Sequence, residues 1–285
     1  MRTGTSALPA YGSRLLKVHQ YRSRLIASKQ FPLIIGHRGA SAVAPENTLA
    51  SFARAFRDGA DGVELDVRLA RDGVPVVIHD ATLSRTRLRQ RRVAGAPSAK
   101  LQQIDVGSWF NRAYRQLARL EYTRQTIPTL DEVFRLVVNQ AKKELIVYVE
   151  LKAGRSRKKN DELAAMVIDL VHRHQMERRV VVISFNLRTV AKIKELNSSI
   201  RTGALFGPRQ RAMKSTRQII ATAIAGGADE ILLHHRIATK RIVAAAQEQR
   251  LAPVVWTVDD PRWLARARGL QIRAIITNHP AKMLA

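Results

Sequence analysis

Residues 36–80 read GHRGASAVAPENTLASFARAFRDGADGVELDVRLARDGVPVVIHD, and the alternation of patterns within them sets the fold. With the apolar run just before it, PLIIGHRG predicts a fully buried strand ending in a glycine-containing loop that carries His37 and Arg38. PENTLASFARAFRDGA then predicts a helix. Asn47 is its expected N-cap, Leu49, Phe52, Ala53 and Phe56 fall at helical spacing, and Gly59 stops it. GVELDV is the next strand, with Glu64 and Asp66 on one face and Val63, Leu65 and Val67 on the other. After the ARDG turn, VPVVIHD predicts a strand ending in His79. That gap is too short for a crossover helix, so the connection is irregular or the two strands pair as a hairpin.

Working outward, the same rhythm continues. IPTLDEVFRLVVNQA is a helix with a cap at Thr129, and ELIVYVELK is an apolar strand that delivers Glu150 and Lys152 at its end. Strand-like runs recur at RVVVISF, IRTGALFG, DEILLHH, PVVWTV and RAIITN, with helical patterns between them. Such alternation over some 240 residues predicts an α/β protein, a closed (β/α)8 TIM barrel. Nine candidate strands compete for eight positions, so one of them, a member of the Glu64–His79 hairpin or the short 201–205 run, lies outside the barrel. The segment at about 81–127 breaks the rhythm with ten basic residues against Asp105 and Glu121 and reads as an insertion after the third strand.

The chain has 285 residues, enough for one large barrel without disulfides or a structural metal. It has no cysteine, which excludes a disulfide framework and a thiol nucleophile and leaves the compartment open. The formal net charge of +26 creates a field that attracts polyanions. The basic residues are spread throughout and few aromatics interleave them, so no dedicated nucleic-acid module is expected. Residues 1–30 form a basic extension without an acid, in the style of a targeting presequence, a membrane-touching arm or a frayed terminus; residues 31–285 read as one barrel domain. No apolar run is long enough for a transmembrane helix.

The polar residues of interest all fall at or near strand carboxyl ends: His37, Arg38, Glu64, Asp66, His79, Glu150, Lys152 and Trp256. In a barrel those ends converge on one mouth. Any two of the carboxylates could be satisfied by pairing with Arg38 or Lys152. All three pointing inward call for a hard divalent cation, calcium or magnesium. His37 and His79 have the chemistry of a general acid and base, while Arg38 and Lys152 suit a phosphate and its transition-state charge. Trp256 either walls the pocket or packs in the core, and His19, His172, His174, His234 and His235 take structural readings.

The run HRGASAVAPENTLASFARAFRDGADGVELDVRLARDGVPVVIHDATLSRT, with the later VELK, ISF, VVWTV and IITNHP, resembles the glycerophosphodiester phosphodiesterase family from about residue 33 to 283. The resemblance implies a barrel of the phospholipase C-like phosphodiesterase type. It also implies a divalent cation, Ca2+ or Mg2+, and cleavage of a glycerophosphodiester to glycerol 3-phosphate and an alcohol. By motif, His37 and His79 would be the acid and base, Glu64, Asp66 and Glu150 the metal ligands, and Arg38 and Lys152 the phosphate contacts. Glu46 and Asn47 would stand behind the metal ligands. The 2-hydroxyl of the glycerol would serve as internal nucleophile. The chain departs from the family's common residues at Ala70, Arg87 and Asp259, positions outside the core catalytic set that bear on substrate preference.

The expected partner is therefore a small glycerophosphodiester, with peripheral contact to an anionic membrane as a further expectation and no specific nucleic acid. Two alternatives are lysophospholipase D-type hydrolysis of membrane lysolipids and a non-catalytic barrel that binds polyanions. A cytoplasmic location is expected, with membrane association or organellar targeting through residues 1–30 left open.

Overall fold

The first strand, β1 (Leu33–His37), is apolar up to its last residue, and its parallel neighbours come from opposite ends of the chain. On one side lies β2 (Gly62–Leu69), reached through helix α1 (Leu49–Arg57). On the other lies β9 (Ala274–Thr277), the last strand. Between them the sheet runs through β4 (Ile146–Leu151), β5 (Val180–Ser184), β6 (Arg201–Phe206), β7 (Glu230–His234) and β8 (Ala252–Trp256), all parallel. The β1–β2 pairing closes the circle, so the chain forms the expected eight-stranded barrel. The computed structural model describes residues 32–84, 91–140 and 144–285. The basic extension assigned to residues 1–30 lies outside the described residues.

The ninth strand is β3 (Pro75–Val77). It pairs antiparallel with β2, Val67 opposite Val77, and stays outside the barrel. The hairpin is thus the surplus element, whereas 201–206 is a barrel strand. The strand ends at Val77, two residues before the predicted His79, because the chain turns away once Ile78 N has donated to Asp66 O.

The described part of 91–127 holds two short helices, α2 (Ser98–Leu101) and α3 (Ser108–Ala113), and three single turns of tighter helix. Leu83, Val93, Leu101 and Ile127 pack beside the β3 hairpin, and Phe110 and Tyr122 pack beside Ala44 in the loop after β1. Helix α4 (Leu130–Val138) starts with a full capping box: Thr129 N donates to Glu132 Oε2 at 2.7 Å and Glu132 N to Thr129 Oγ1 at 3.2 Å. Six helices alternate with the later strands: α5 (Arg157–Arg173), α6 (Leu187–Leu196), α7 (Pro208–Met213) with α8 (Thr216–Ala225), α9 (Lys240–Glu248) and α10 (Trp263–Gly269). A last turn, α11 (Pro280–Leu284), closes the chain.

Alternation along each strand sorts side chains into two cores. Val63, Leu65, Val67, Val147 and Val149 face the helices, meeting Phe52 and Phe134. Leu33, Ile35, Tyr148, Ile183, Leu232 and Ile276 fill the barrel interior. Each buried aromatic or branched side chain contributes about 1.5–3 kcal/mol relative to exposure. The interior has one polar floor: Glu230 Oε2 accepts from Tyr148 Oη at 2.8 Å, and Glu230 Oε1 lies 3.0 Å from Arg273 Nε. The opposite end, where the strands finish, holds Glu64, Asp66, Glu150, Arg38 and Lys152.

Candidate active site

His37 ends β1, and the next two residues turn sharply. Arg38 has φ 53° and Gly39 φ 85°, both left-handed, and a Cβ on Gly39 would collide with Ser51. A non-glycine residue tolerates that conformation only where its surroundings hold it. Here they do: Arg38 N donates to Glu64 Oε2 at 3.1 Å, and Arg38 O accepts from Asn47 N at 3.0 Å and Ser51 Oγ at 2.9 Å. Its guanidinium is clamped by Glu46, with Nη1 3.2 Å from both carboxylate oxygens, and by Asp66, whose Oδ2 is 3.0 Å from Nε.

Asn47 is not the helix cap expected from local sequence. Thr48 caps α1, its side chain accepting from Ser51 N at 3.2 Å. Asn47 is itself left-handed (φ 56°) and only 4% exposed, because its side chain is used across the barrel mouth. Its Nδ2 donates to Asp66 Oδ2 at 2.8 Å and its Oδ1 accepts from Asp66 N at 3.3 Å.

The β-sheet register brings the carboxylates together: Glu64 sits beside His37, and Asp66 beside Glu150. All three face inward and are 3%, 0% and 8% exposed. One oxygen from each of Glu64, Asp66 and Glu150 lies within 4.8 Å of the others, a donor set that could hold a metal ion. Lys152, just past the end of β4, puts Nζ 2.7 Å from Glu150 Oε1 and 2.9 Å from Asp66 Oδ1; the second contact lacks hydrogen-bond geometry, leaving that oxygen without a hydrogen-bond donor.

Burial first, then repulsion from Asp66, push the Glu64 carboxyl up to about 8 against the pull of Arg38 and Lys152. Burial likewise raises Glu150 to about 7, although Lys152 opposes it. Asp66 goes the other way. Burial alone would raise it, but Lys152, Arg38, His79 and the Asn47 hydrogen bond hold it well below the usual carboxylate range. Burial favours neutral Lys152 and Arg38 too, and the surrounding carboxylates outweigh it in both. Two cations facing three inward carboxylates plus Glu46 leave a surplus of negative charge, and the donor set is all hard oxygen. The residues present therefore fit a divalent cation.

His37 Nδ1 lies 2.7 Å from Asn278 Oδ1, and its Nε2 lies 3.8 Å from Glu64 Oε2. Burial and then Arg38 lower its pKa, with Asn278, Asp66 and Glu46 opposing. His79 sits in the turn after β3. Its carbonyl accepts from Arg68 Nε and Nη2 at 2.8 and 2.6 Å, and its Nδ1 lies 2.8 Å from Asp80 Oδ1. Burial lowers its pKa as well, Asp66 and Asp80 acting in opposition.

Of the two readings offered for Trp256, the structure supports core packing. It ends β8 and packs on the barrel interior, while its ring stands edge-on to Phe185 at 5.6 Å and to His234 at 5.1 Å. Sequence reasoning missed Arg68 and Asn278 and placed Asp259 outside the catalytic set. His234, which takes a structural reading from the sequence, ends β7. Asp259 stands one side chain away from His37 by way of Asn278. The one available signal was position: Asp259 and Asn278 each follow a strand.

A family model described as the glycerophosphoryl diester phosphodiesterase family matches residues 37–282. Among curated relatives, a glycerophosphodiester phosphodiesterase of Caldanaerobacter subterraneus subsp. tengcongensis is 35% identical over 61% of this chain and 66% of its own. One from Bacillus subtilis (strain 168) is 27% identical over 87% and 84%. Among solved structures, an Oleispira antarctica phosphodiesterase in complex with the product sn-glycerol-3-phosphate is similar with a TM-score of 0.76 and 27% identity, covering 89% of this chain and 95% of that one.

Proposed function

The chain belongs to the glycerophosphoryl diester phosphodiesterase family and is a phosphoric diester hydrolase; from that premise we propose that its barrel mouth cleaves glycerophosphodiesters to sn-glycerol 3-phosphate and an alcohol, with a divalent cation and histidine acid–base catalysis. The observation that carries this reading is the convergence of Glu64, Asp66 and Glu150 with Arg38, Lys152, His37 and His79 on one end of the barrel.

Glu64, Asp66 and Glu150 would hold the cation, calcium or magnesium, with Glu46 and Asn47 fixing Arg38 and Asp66 behind them. When bound, the cation supplies Lewis-acid charge next to a phosphate oxygen. The two half-buried basic side chains, Arg38 and Lys152, bind the non-bridging oxygens and stabilise the charge that grows on them as the fifth oxygen approaches phosphorus. One histidine takes the proton from the attacking hydroxyl, and the other gives a proton to the departing alcohol oxygen. The glycerol 2-hydroxyl is the attacking group in the first half of this reading, since holding it next to phosphorus spares the entropy of a second molecule. Water then opens the cyclic diester with the proton roles reversed. Trp256, whose ring stands edge-on to Phe185, would wall the pocket for the alcohol part of the substrate.

Turnover of glycerophosphocholine and glycerophosphoethanolamine with calcium or magnesium, with and without chelator, tests this reading. Release of glycerol 3-phosphate that stops with chelator is expected; no release under any condition refutes it.

One observation favours lysolipids at a membrane as a second substrate source. The segment from Gly207 to Arg217, after β6 and beside Trp256, carries Arg209, Arg211, Lys214 and Arg217 with no acid, and Met213 on it is 84% exposed. No helix among the described residues is long and apolar enough to cross a membrane, so contact would be peripheral. Co-sedimentation with anionic vesicles at moderate salt, lost in Arg209→Ala/Arg211→Ala/Met213→Ser, is the expected result, and absence of binding by the unaltered chain removes the reading.

A further inference from the structure

The hydrogen bonds around Asn278 leave little freedom. Its Nδ2 donates to Asp259 Oδ2 at 2.7 Å, while Asp259 Oδ1 accepts from Asn278 N at 2.7 Å and from Thr277 Oγ1 at 2.9 Å. Both carboxylate oxygens are thus committed as acceptors. A carboxylate has no proton to give, so the amide atom facing Asp259 is the NH2 group, and the atom facing His37 is the amide oxygen. Ser41 Oγ lies 2.9 Å from that same oxygen and donates to it in this orientation of the amide plane. An oxygen that faces His37 Nδ1 at 2.7 Å requires a hydrogen on that nitrogen.

We propose that Asp259 and Asn278 are positioning residues that hold His37 in its Nδ1–H tautomer and so present the Nε2 lone pair to the reacting hydroxyl, assigning His37 the proton-acceptor role in the first half of the reaction. The assignment of a role rests on the function proposed above; the tautomer itself does not. Nε2 is the ring atom on the carboxylate side of the mouth, and its 3.8 Å separation from Glu64 Oε2 is too long for a competing hydrogen bond. The relay also follows from barrel closure. Asp259 comes after β8 and Asn278 after β9, and β9 lies beside β1, whose last residue is His37. A base in the wrong tautomer presents a hydrogen where it must accept one, and catalysis fails although the ring has not moved.

The relay has a chemical polarity that can be reversed. In Asp259→Asn, one oxygen of residue 259 becomes an NH2 group; the Asn278 amide is then free to flip, placing its NH2 against His37 Nδ1 and demanding the opposite tautomer. In the double variant Asp259→Asn/Asn278→Asp, the amide oxygen introduced at position 259 still accepts from Thr277 and from the backbone N–H of residue 278. The NH2 at that position donates to the new carboxylate, and that carboxylate again accepts from His37 Nδ1.

The experiment is nitrogen NMR of the full chain labelled at histidine nitrogen, with the His37 signals assigned by comparison with His37→Gln, alongside steady-state kinetics on glycerophosphocholine. The unaltered protein is expected to show a protonated, pyrrole-like Nδ1 and a pyridine-like Nε2 for His37. Asp259→Asn is expected to mix or invert that pattern and to lower kcat on the order of 10- to 100-fold with little change in KM. The double variant is expected to recover both the pattern and most of kcat. A pyrrole-like Nε2 in the unaltered protein overturns the proposal outright, and this holds even if the variants fail to fold. An unchanged His37 pattern in Asp259→Asn overturns it too, whatever kcat does. If the chain turns over no glycerophosphodiester while the tautomer pattern and its reversal hold, the role of His37 fails with the proposed function and the relay stands.

Discussion

Loading a divalent cation into the mouth is expected to release protons, and the amount follows from the two raised carboxyls. With Glu64 at about 8 and Glu150 at about 7, the metal-free pair holds most of its two protons at pH 6 and has lost most of them by pH 9. Ligation needs both ionised, so apparent affinity rises with pH by a total of about 10³ between pH 6 and pH 9, equivalent to about 4 kcal/mol. The sign in the stability curve follows from the same shift. A carboxyl that titrates near 4.5 in the unfolded chain and near 8 in the fold keeps its proton in the folded state only, so metal-free stability declines as pH rises from about 4.5 to about 8. The thermal shift produced by calcium or magnesium therefore grows over that interval. Calorimetric titration in two buffers of different ionisation enthalpy measures the protons directly, and Glu150→Gln is expected to remove about one of them at pH 6. A heat of binding independent of buffer at pH 6, or an affinity that is flat between pH 6 and pH 9, refutes the reasoning, because it would mean that the carboxylates are already ionised in the empty site.

Alanine at His37 or at His79 is expected to lower kcat by about 10²–10⁴ while cation binding is retained, and a loss below about tenfold at either position removes that residue from the proton-transfer scheme. Lys152→Met takes away the ammonium 2.7 Å from Glu150 and should cost about 10²–10³ in kcat; turnover within about threefold of the unaltered enzyme would mean that the ammonium does not meet the phosphate. At the other end of the barrel, Glu230→Ala leaves buried Tyr148 and half-buried Arg273 without their carboxylate. Urea unfolding should register a loss of about 3–5 kcal/mol with KM unchanged, and a loss under about 1 kcal/mol would show that water or a rearranged Arg273 replaces it.

The strands were readable because a parallel barrel buries both faces of each one, which leaves continuous apolar runs such as LIIGH and IVYVEL. The inward pair Glu64 and Asp66 was readable from period-two alternation, and Lys152 from its spacing of two from Glu150. What was not readable is what depends on distant partners. A local window sees Asn47 as a good cap. Only the folded barrel shows that Asp66, nineteen residues on, claims its side chain and passes the cap to Thr48. Arg68 carries no local signal, and its hold on the His79 carbonyl appears only once the hairpin has turned. The His37–Asn278 contact spans 241 residues and exists because the first and last strands are neighbours.

The charge balance is best understood by asking which field wins. A chain of net charge +26 should favour every carboxylate anion and depress its pKa, yet Glu64 and Glu150 move upward. At physiological ionic strength, charges more than about 8 Å away are largely screened, so the exterior arginines contribute little at the mouth. Burial and mutual repulsion among three carboxylates act within contact distance and prevail. The exterior field acts instead on an anion still outside, where it raises the encounter rate of a phosphodiester. The two scales can be told apart with salt: added salt should lower the second-order rate constant for an anionic diester, and it should leave the number of protons released by the cation nearly unchanged, since the groups that set that number lie within one screening length of each other.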